Sequence, residues 1–264
     1  MINVKSYLEN LNINKNSNVC ITSNILSLIK IDRDKSIIEL GNLLLGELLD
    51  YFGESGTIVI PSFNWDFCNK NKYNILKSPS QVGSLGNIAL KNKYFRRTNH
   101  PIYSFLTHGK LSNKILENKS KDAFSKNSLI HFLYENNFIQ IFIDTKIQDG
   151  FYFVHLAEQN IGVDYRFIKN FKGIYTDNLS QDTELEYSMY VRKDASLRWN
   201  IKYTGKKVNT AICESFKTKL IDINAYNSYI MNSIEFQSVE IFKAVNLMEK
   251  SIKNNSCLVF PRIK

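Results

Sequence analysis

The chain has 264 residues, carries 34 Lys and Arg against 25 Asp and Glu for a formal charge of +9, and is apolar at 44% of its positions. That is enough apolar side chain to bury a core without metal or disulfide staples. With only 11 Gly, 4 Pro and 4 Cys, the composition excludes a disordered tail, a collagen-like chain and a small disulfide knot.

Ile2, Val4, Leu8 and Leu11 recur at helical intervals over residues 2–12, and Asn18 to Ser23 follows as a short apolar run suited to a buried strand. From Asp34 to Phe52, eight Ile and Leu residues recur around one broad face, with Gly53 and Gly56 as stop signals, which predicts a long helix. Gly56 to Phe63 is a β-branched run broken by Pro61; it predicts a second buried strand whose carboxyl end delivers Ser62, Asn64 and Asp66 into a loop. Asn87 to Lys91 and Asn127 to Asn137 read as helices, Phe138 to Asp144 as a strand, and Gly150 to Gln159 as a helix carrying His155. Beyond Gly162, Tyr165 to Tyr175 and Leu185 to Arg192 mix aromatic and polar residues as exposed antiparallel strands do. Val239 to Ile252 is amphipathic, with apolar residues three and four apart, and predicts a last helix on the sheet.

Strand and helix alternate throughout, which predicts an α/β fold: an α/β/α layered sandwich with a mixed central sheet and an additional antiparallel strand region in the C-terminal half. No linker-like stretch or internal repeat divides the chain, so residues 1–264 are expected to form one domain. The N-terminus has no basic start followed by an apolar run, and no uncharged apolar stretch is long enough to span a bilayer; a cytoplasmic location is expected. Cys20, Cys68, Cys213 and Cys257 show no paired spacing and are expected to be free, mostly buried thiols, with no metal site.

The positive balance favours anionic partners, either phosphorylated small molecules or nucleic acid, though no nucleic-acid module signature is present. There is no P-loop, G-x-S-x-G elbow or H-E-x-x-H. Of the four histidines, His131 lies in an apolar helical segment, as a packed histidine does. His155 and Glu158 stand three apart on one helical face, where a carboxylate can fix the tautomer and raise the basicity of an imidazole. On pattern alone, the same pair fits a helix-surface contact.

Five segments occur together in order: Gly56 to Phe67 (Gly-Thr-Ile-Val-Ile-Pro-Ser-Phe-Asn-Trp-Asp-Phe), Gly83-Ser84-Leu85-Gly86, Arg96 to Ser104, Gly109, and His155-Leu156-Ala157-Glu158. In that order and spacing they resemble the aminoglycoside 3-N-acetyltransferase family, over roughly residues 1 to 175 and faintly beyond. The resemblance implies an enzyme that binds acetyl-coenzyme A and transfers its acetyl group to an amine on a sugar, without a metal. His155 matches the family's catalytic histidine and Glu158 the glutamate that follows it. Asp66 matches an aspartate expected to hold the acceptor's ammonium, in a loop where Ser62, Asn64 and Trp65 are also expected to meet the substrate. Thr22, Ser23 and Asn24 and the set Arg96, Arg97, His100 and Ser104 match positions expected to bind the cofactor's phosphates.

Two departures bear on the acceptor. The first loop reads Thr22-Ser23-Asn24 where the family has His-Ser/Ala-Ser, and Lys126 replaces an acidic residue in Ser125-Lys126-Asn127-Ser128-Leu129. Aminoglycosides are polycations and need carboxylates around them, whereas a chain at +9 attracts a sugar carried on a nucleotide diphosphate. The resembled family also includes members that acetylate amino sugars of surface-glycan pathways, so the resemblance together with the charge implies a nucleotide-linked amino-deoxy sugar of that kind as the expected acceptor. An aminoglycoside acceptor, a double displacement through Cys68, a non-catalytic binding protein of this fold and a basic single-strand nucleic-acid binder are the competing readings.

Overall fold

The structure, a computed structural model, describes residues 3–193 and 216–254; Cys213 and Cys257 lie outside them. Asn3 caps α1 (Val4–Asn10) by accepting the Ser6 N–H, and the helix buries Val4, Tyr7 and Leu8. After β1 (Asn18–Ser23), Ser36 and Glu39 form a reciprocal capping box that starts α2 (Ile37–Phe52), and Gly53 at φ +48° ends it. Leu44, Leu45 and Leu48 of α2 are fully buried, each contributing about 1.5–3 kcal/mol of apolar burial. Next come β2 (Thr57–Pro61), β3 (Tyr73–Asn74), α3 (Ser84–Leu90), β4 (Arg96–Arg97), β5 (Phe105–Gly109) and α4 (Ser112–Leu116). The chain continues through α5 (Leu129–Glu135), β6 (Ile139–Ile143), α6 (Ile147–Gly150), α7 (Val154–Ile161), β7 (Arg166–Thr176), β8 (Asp182–Arg192), β9 (Tyr226–Met231) and β10 (Ile234–Glu240) to a last helix, α8 (Ile241–Lys253).

A seven-stranded sheet has the order β4-β5-β2-β1-β6-β10-β9. β1 is parallel to both β2 and β6, and the outer pairs are antiparallel, so the sheet is mixed. The three parallel strands are the near-continuous apolar runs, because helices cover both faces there. Val19, Ile21, Ile58, Ile60, Ile141 and Ile143 pack with α1, α2 and α3 on one face; Cys20, Val59 and Phe142 alternate with them and pack with α5, α7 and α8 on the other. That is the layered α/β/α arrangement expected. A second sheet, β3-β7-β8, is dominated by the antiparallel pairing of β7 with β8 along their whole length.

The sequence reading does not contain β3, β4, β5 or α4, and it differs from the structure elsewhere. The expected helix over 150–159 begins only at Val154, as α7: Gly150 instead closes the preceding α6, its carbonyl accepting from the buried Gln140 amide, and Phe153 turns into the core. Val239 and Glu240, read as the start of a helix, close strand β10. The β9–β10 hairpin is absent from the sequence reading because its two-residue turn is Asn232-Ser233, both with positive φ (51° and 60°), in place of the usual Asn-Gly signal.

Candidate active site

β1 and β2 run parallel, so they end side by side at one edge of the sheet, where α/β folds place their ligand crevices. Their ends and the loops beyond them form one wall of a cleft of about 870 Å³, with Thr22 and Ser23 from β1, Pro61 at the end of β2, and Phe63 and Trp65 beyond it. Gly83, at φ +128°, makes the turn into α3, a conformation that disfavours any side chain. Three residues on, Gly86 lies against the Pro61 carbonyl; a β-carbon there would stand 2.7 Å from that oxygen. The Gly83–Gly86 pair is thus the hinge and the contact surface that bring α3 to the cleft. The β7–β8 ribbon forms the opposite wall, with Phe167, Lys169, Phe171, Met189, Arg192 and Lys193.

His155 opens onto this cleft with its side chain 26% exposed, and its Nδ1 lies 2.8 Å from Oε2 of Glu158, which is fully buried. The three-residue spacing on α7 makes that contact. Gly162, in the left-handed conformation, then ends the helix and reverses the chain, so the first residues of the next strand return to the same carboxylate. Tyr165 donates its hydroxyl to Oε1 at 2.9 Å, and the Arg166 Nε sits 2.7 Å from Oε2 as an ion pair. Burial works against the carboxylate's charge, but the His155 hydrogen bond and the charges of His155 and Arg166 outweigh it, and Glu158 is held below the usual carboxylate range. With Nδ1–H donated to an ionised Glu158, the lone pair of a neutral His155 sits on Nε2. Phe124 packs edge-on against the ring at 5.5 Å and fixes its plane. A carboxylate-oriented imidazole at the mouth of a cleft is the arrangement of a general base.

The sequence profile of the aminoglycoside 3-N-acetyltransferase family matches residues 36–235, three-quarters of the chain. The chain belongs to the aminoglycoside 3-N-acetyltransferase family. Its fold is shared by the YokD protein of Bacillus subtilis, at 20% identity and a TM-score of 0.71 over 96% of this chain and 98% of that one. Aminoglycoside acetyltransferase AAC(3)-IIb aligns at 11% identity and a TM-score of 0.74 over 97% of each chain. AAC-IIIb in binary complex with CoASH aligns at 10% identity and 0.74, over 98% of this chain and 96% of that one. No curated protein matches the sequence. The protein is thus an acetyltransferase of a family that acts on amino groups.

Within this family member the remaining expected site residues divide in two. Thr22, Ser23 and Trp65 stand on the cleft wall with His155. Ser23 Oγ is buried there without a hydrogen-bond partner, and Thr22 Oγ1 accepts from Gln140. The others are drawn away from it. Asp66, expected to hold an ammonium, accepts the Asn64 and Gln81 side-chain amides on its two oxygens, and Asn64 also donates to the Pro79 carbonyl; both brace the loop after β2. Asn24 is exposed and precedes a short 3₁₀ turn, and Arg96 is exposed on the edge strand with its guanidinium on Asn113.

Arg97, His100 and Ser104, expected to meet phosphates, are buried scaffold instead. Arg97 donates to Ser104 Oγ at 3.0 Å and to the carbonyls of Ser62 and Ser78, spanning three loops. Ser104 hydrogen-bonds the Ser62 carbonyl, and Ser62 itself is fully buried. His100 accepts the Ile102 and Tyr103 N–H groups on Nδ1, and burial pushes its imidazole down to about 3, so it carries no charge at neutral pH. Lys126 is exposed and off the cleft wall. Sequence reasoning missed Tyr165 and Arg166, because the segment from Tyr165 reads as an exposed strand and the burial of Arg166 against Glu158 is set by packing of distant parts of the chain. Among the described residues, no cluster of His, Cys, Asp or Glu could hold a metal ion, and no helix is long and apolar enough to cross a membrane.

Proposed function

We propose that the protein, acting as one domain, transfers the acetyl group of acetyl-coenzyme A to the amine of an amino sugar, with His155 as general base. The observation that carries this reading is the 2.8 Å contact of the cleft-facing imidazole with an ionised, buried Glu158. Acetyl-coenzyme A, when bound, supplies the thioester carbon that the amine attacks. An ammonium has no lone pair to attack with, so His155 Nε2 must hold or remove its proton as the bond to carbon forms. The cleft's volume suits a ligand of that size, and the unpartnered Ser23 Oγ offers a hydroxyl on the strand-end wall. Asp149, exposed on the cleft wall, is the carboxylate placed to meet the acceptor's ammonium in the role expected of Asp66.

The preferred acceptor is a nucleotide-linked amino-deoxy sugar of surface-glycan synthesis. Lys169 and Lys193 on the ribbon wall, against one exposed carboxylate at Asp149, favour an anionic substrate over a polycation. The specific observation for an aminoglycoside is that related enzymes were captured with apramycin and with sisomicin. Thiol release from acetyl-coenzyme A, measured over nucleotide-linked amino sugars, free amino sugars and aminoglycosides, decides between them. Preference for gentamicin-type amines would overturn the nucleotide-sugar reading. His155→Ala is expected to lower turnover about 10²–10⁴-fold with coenzyme A affinity nearly intact, and unchanged turnover would remove the base assignment.

A further inference from the structure

We infer that Tyr165 and Arg166 are positioning residues for this transfer: they share Glu158 with His155, and so let the carboxylate orient the imidazole without locking it as imidazolium. The inference rests on the reading of His155 as the base. Its ground is the contact set around one carboxylate. Oε2 lies 2.8 Å from His155 Nδ1 and 2.7 Å from Arg166 Nε, and Oε1 takes the Tyr165 hydroxyl at 2.9 Å. Glu158 is fully buried and the Arg166 side chain is 6% exposed, so water screens neither charge. The guanidinium is anchored from behind, where Nη1 donates to the Tyr190 carbonyl at 3.0 Å.

A buried carboxylate bonded to a histidine alone attracts the proton onto the ring, and a protonated ring cannot accept another. Arginine stays charged at every working pH, and its single positive charge offsets the single negative charge of Glu158. Glu158 then meets the imidazole as a hydrogen-bond acceptor that fixes its orientation, while its charge is already met by Arg166. Tyr165 fills the second oxygen, which would otherwise stay buried and unsatisfied. Among the described residues, Tyr103, from the loop before β5, and Tyr190 on β8 also face this centre, and burial raises both phenols, so both are neutral at working pH; Asp164, next to Tyr165, acts on Tyr190 from the negative side. Arg192, paired with Arg166 across the ribbon, adds to the positive side. The catalytic pair therefore sits on α7 of the main body, while the groups that balance it arrive from the second sheet.

NMR titration of the His155 ring, assigned by its loss in His155→Ala, tests this without any acceptor. Removing a neighbouring cation stabilises the imidazolium, so Arg166→Gln should raise the ring's titration midpoint by about one pH unit, and Arg166→Lys should bring it part-way back. With the best amine of the acceptor panel, the acid limb of kcat/KM should move to higher pH by the same amount. Tyr165→Phe removes one hydroxyl and should lower kcat about tenfold with KM for acetyl-coenzyme A unchanged. A titration midpoint unmoved in both Arg166 variants would overturn the inference, and if neither variant folds, an unchanged kcat in Tyr165→Phe does so. A shifted midpoint together with full turnover in His155→Ala would leave the charge balance standing and defeat the base reading instead.

Discussion

Acidifying the protein should destabilise it through His100 well before its carboxylates titrate. Burial pushes this imidazole down to about 3 in the folded state, whereas an unfolded histidine titrates near 6.5, about 3.5 units higher. Between those two values the unfolded chain binds a proton that the folded chain refuses, so stability is fully present above about pH 6.5 and falls as pH drops. From about pH 7.5 to about pH 5 the linkage relation gives a loss of roughly 2 kcal/mol from this one residue. Urea unfolding at the two pH values reads it as a shift in midpoint. His100→Asn is the matched control, because an amide oxygen can still accept the Ile102 and Tyr103 N–H groups that Nδ1 now takes. The variant should be less stable at neutral pH, having lost a buried ring, but should lack most of the slope between the two pH values. An equal slope in both proteins would refute the reasoning, and would restore His100 as a group able to carry charge and meet a phosphate.

Gly86→Ala should cost about 1–3 kcal/mol, since the added carbon would lie 2.7 Å from the Pro61 carbonyl, a backbone atom that cannot swing aside; a thermal melt equal to wild type would show that α3 slides freely. Cys68→Ser should keep most of its turnover, because burial pushes the Cys68 thiol up to about 11 and leaves almost no thiolate at neutral pH. Complete inactivation, with an acetylated Cys68 in the wild type, would instead support double displacement. Lys169→Ala should raise KM for a nucleotide-linked amino sugar several-fold, to a degree that falls with added salt, and leave KM for the corresponding free amino sugar unchanged. Equal effects on the two sugars would place Lys169 outside acceptor recognition.

The parallel core was legible because β1, β2 and β6 are apolar runs with strong local boundaries, and because α2 repeats Ile and Leu around one face up to the stop at Gly53. His155 and Glu158 were legible as a pair because helical spacing alone brings them together. What sequence could not supply was direction. Asp66, Arg97 and His100 carry the polar and charged groups a ligand site needs, yet folding turns each inward onto neighbouring backbone and amides. A charged residue beside a strand end reads identically whether it faces the cleft or braces the loop, and the choice is made by long-range contacts such as Arg97 with Ser62 and Ser78. The antiparallel strands were harder for a related reason: their pairing is set across the ribbon, not along it.

The charge reasoning changes its address in the same way. Net charge acts at long range, but at cellular ionic strength it is screened within about 8 Å, so the charges that select a substrate are those on the cleft wall. Lys126, whose sign first suggested a change of acceptor, stands off that wall, whereas Lys169 stands on it beside Phe167 and Phe171, two residues to either side on the same face of β7. On that strand an aromatic, a cation and a second aromatic face the cleft in succession, with Met189 directly across the ribbon from Lys169. Such a wall offers stacking and charge together, which suits a planar base joined to phosphates better than a polyamine. On the proposed reading, acceptor choice lies on the β7–β8 ribbon, which also carries Arg166 to Glu158. On that reading, a change of substrate has to be made without disturbing the contact of Arg166 with Glu158.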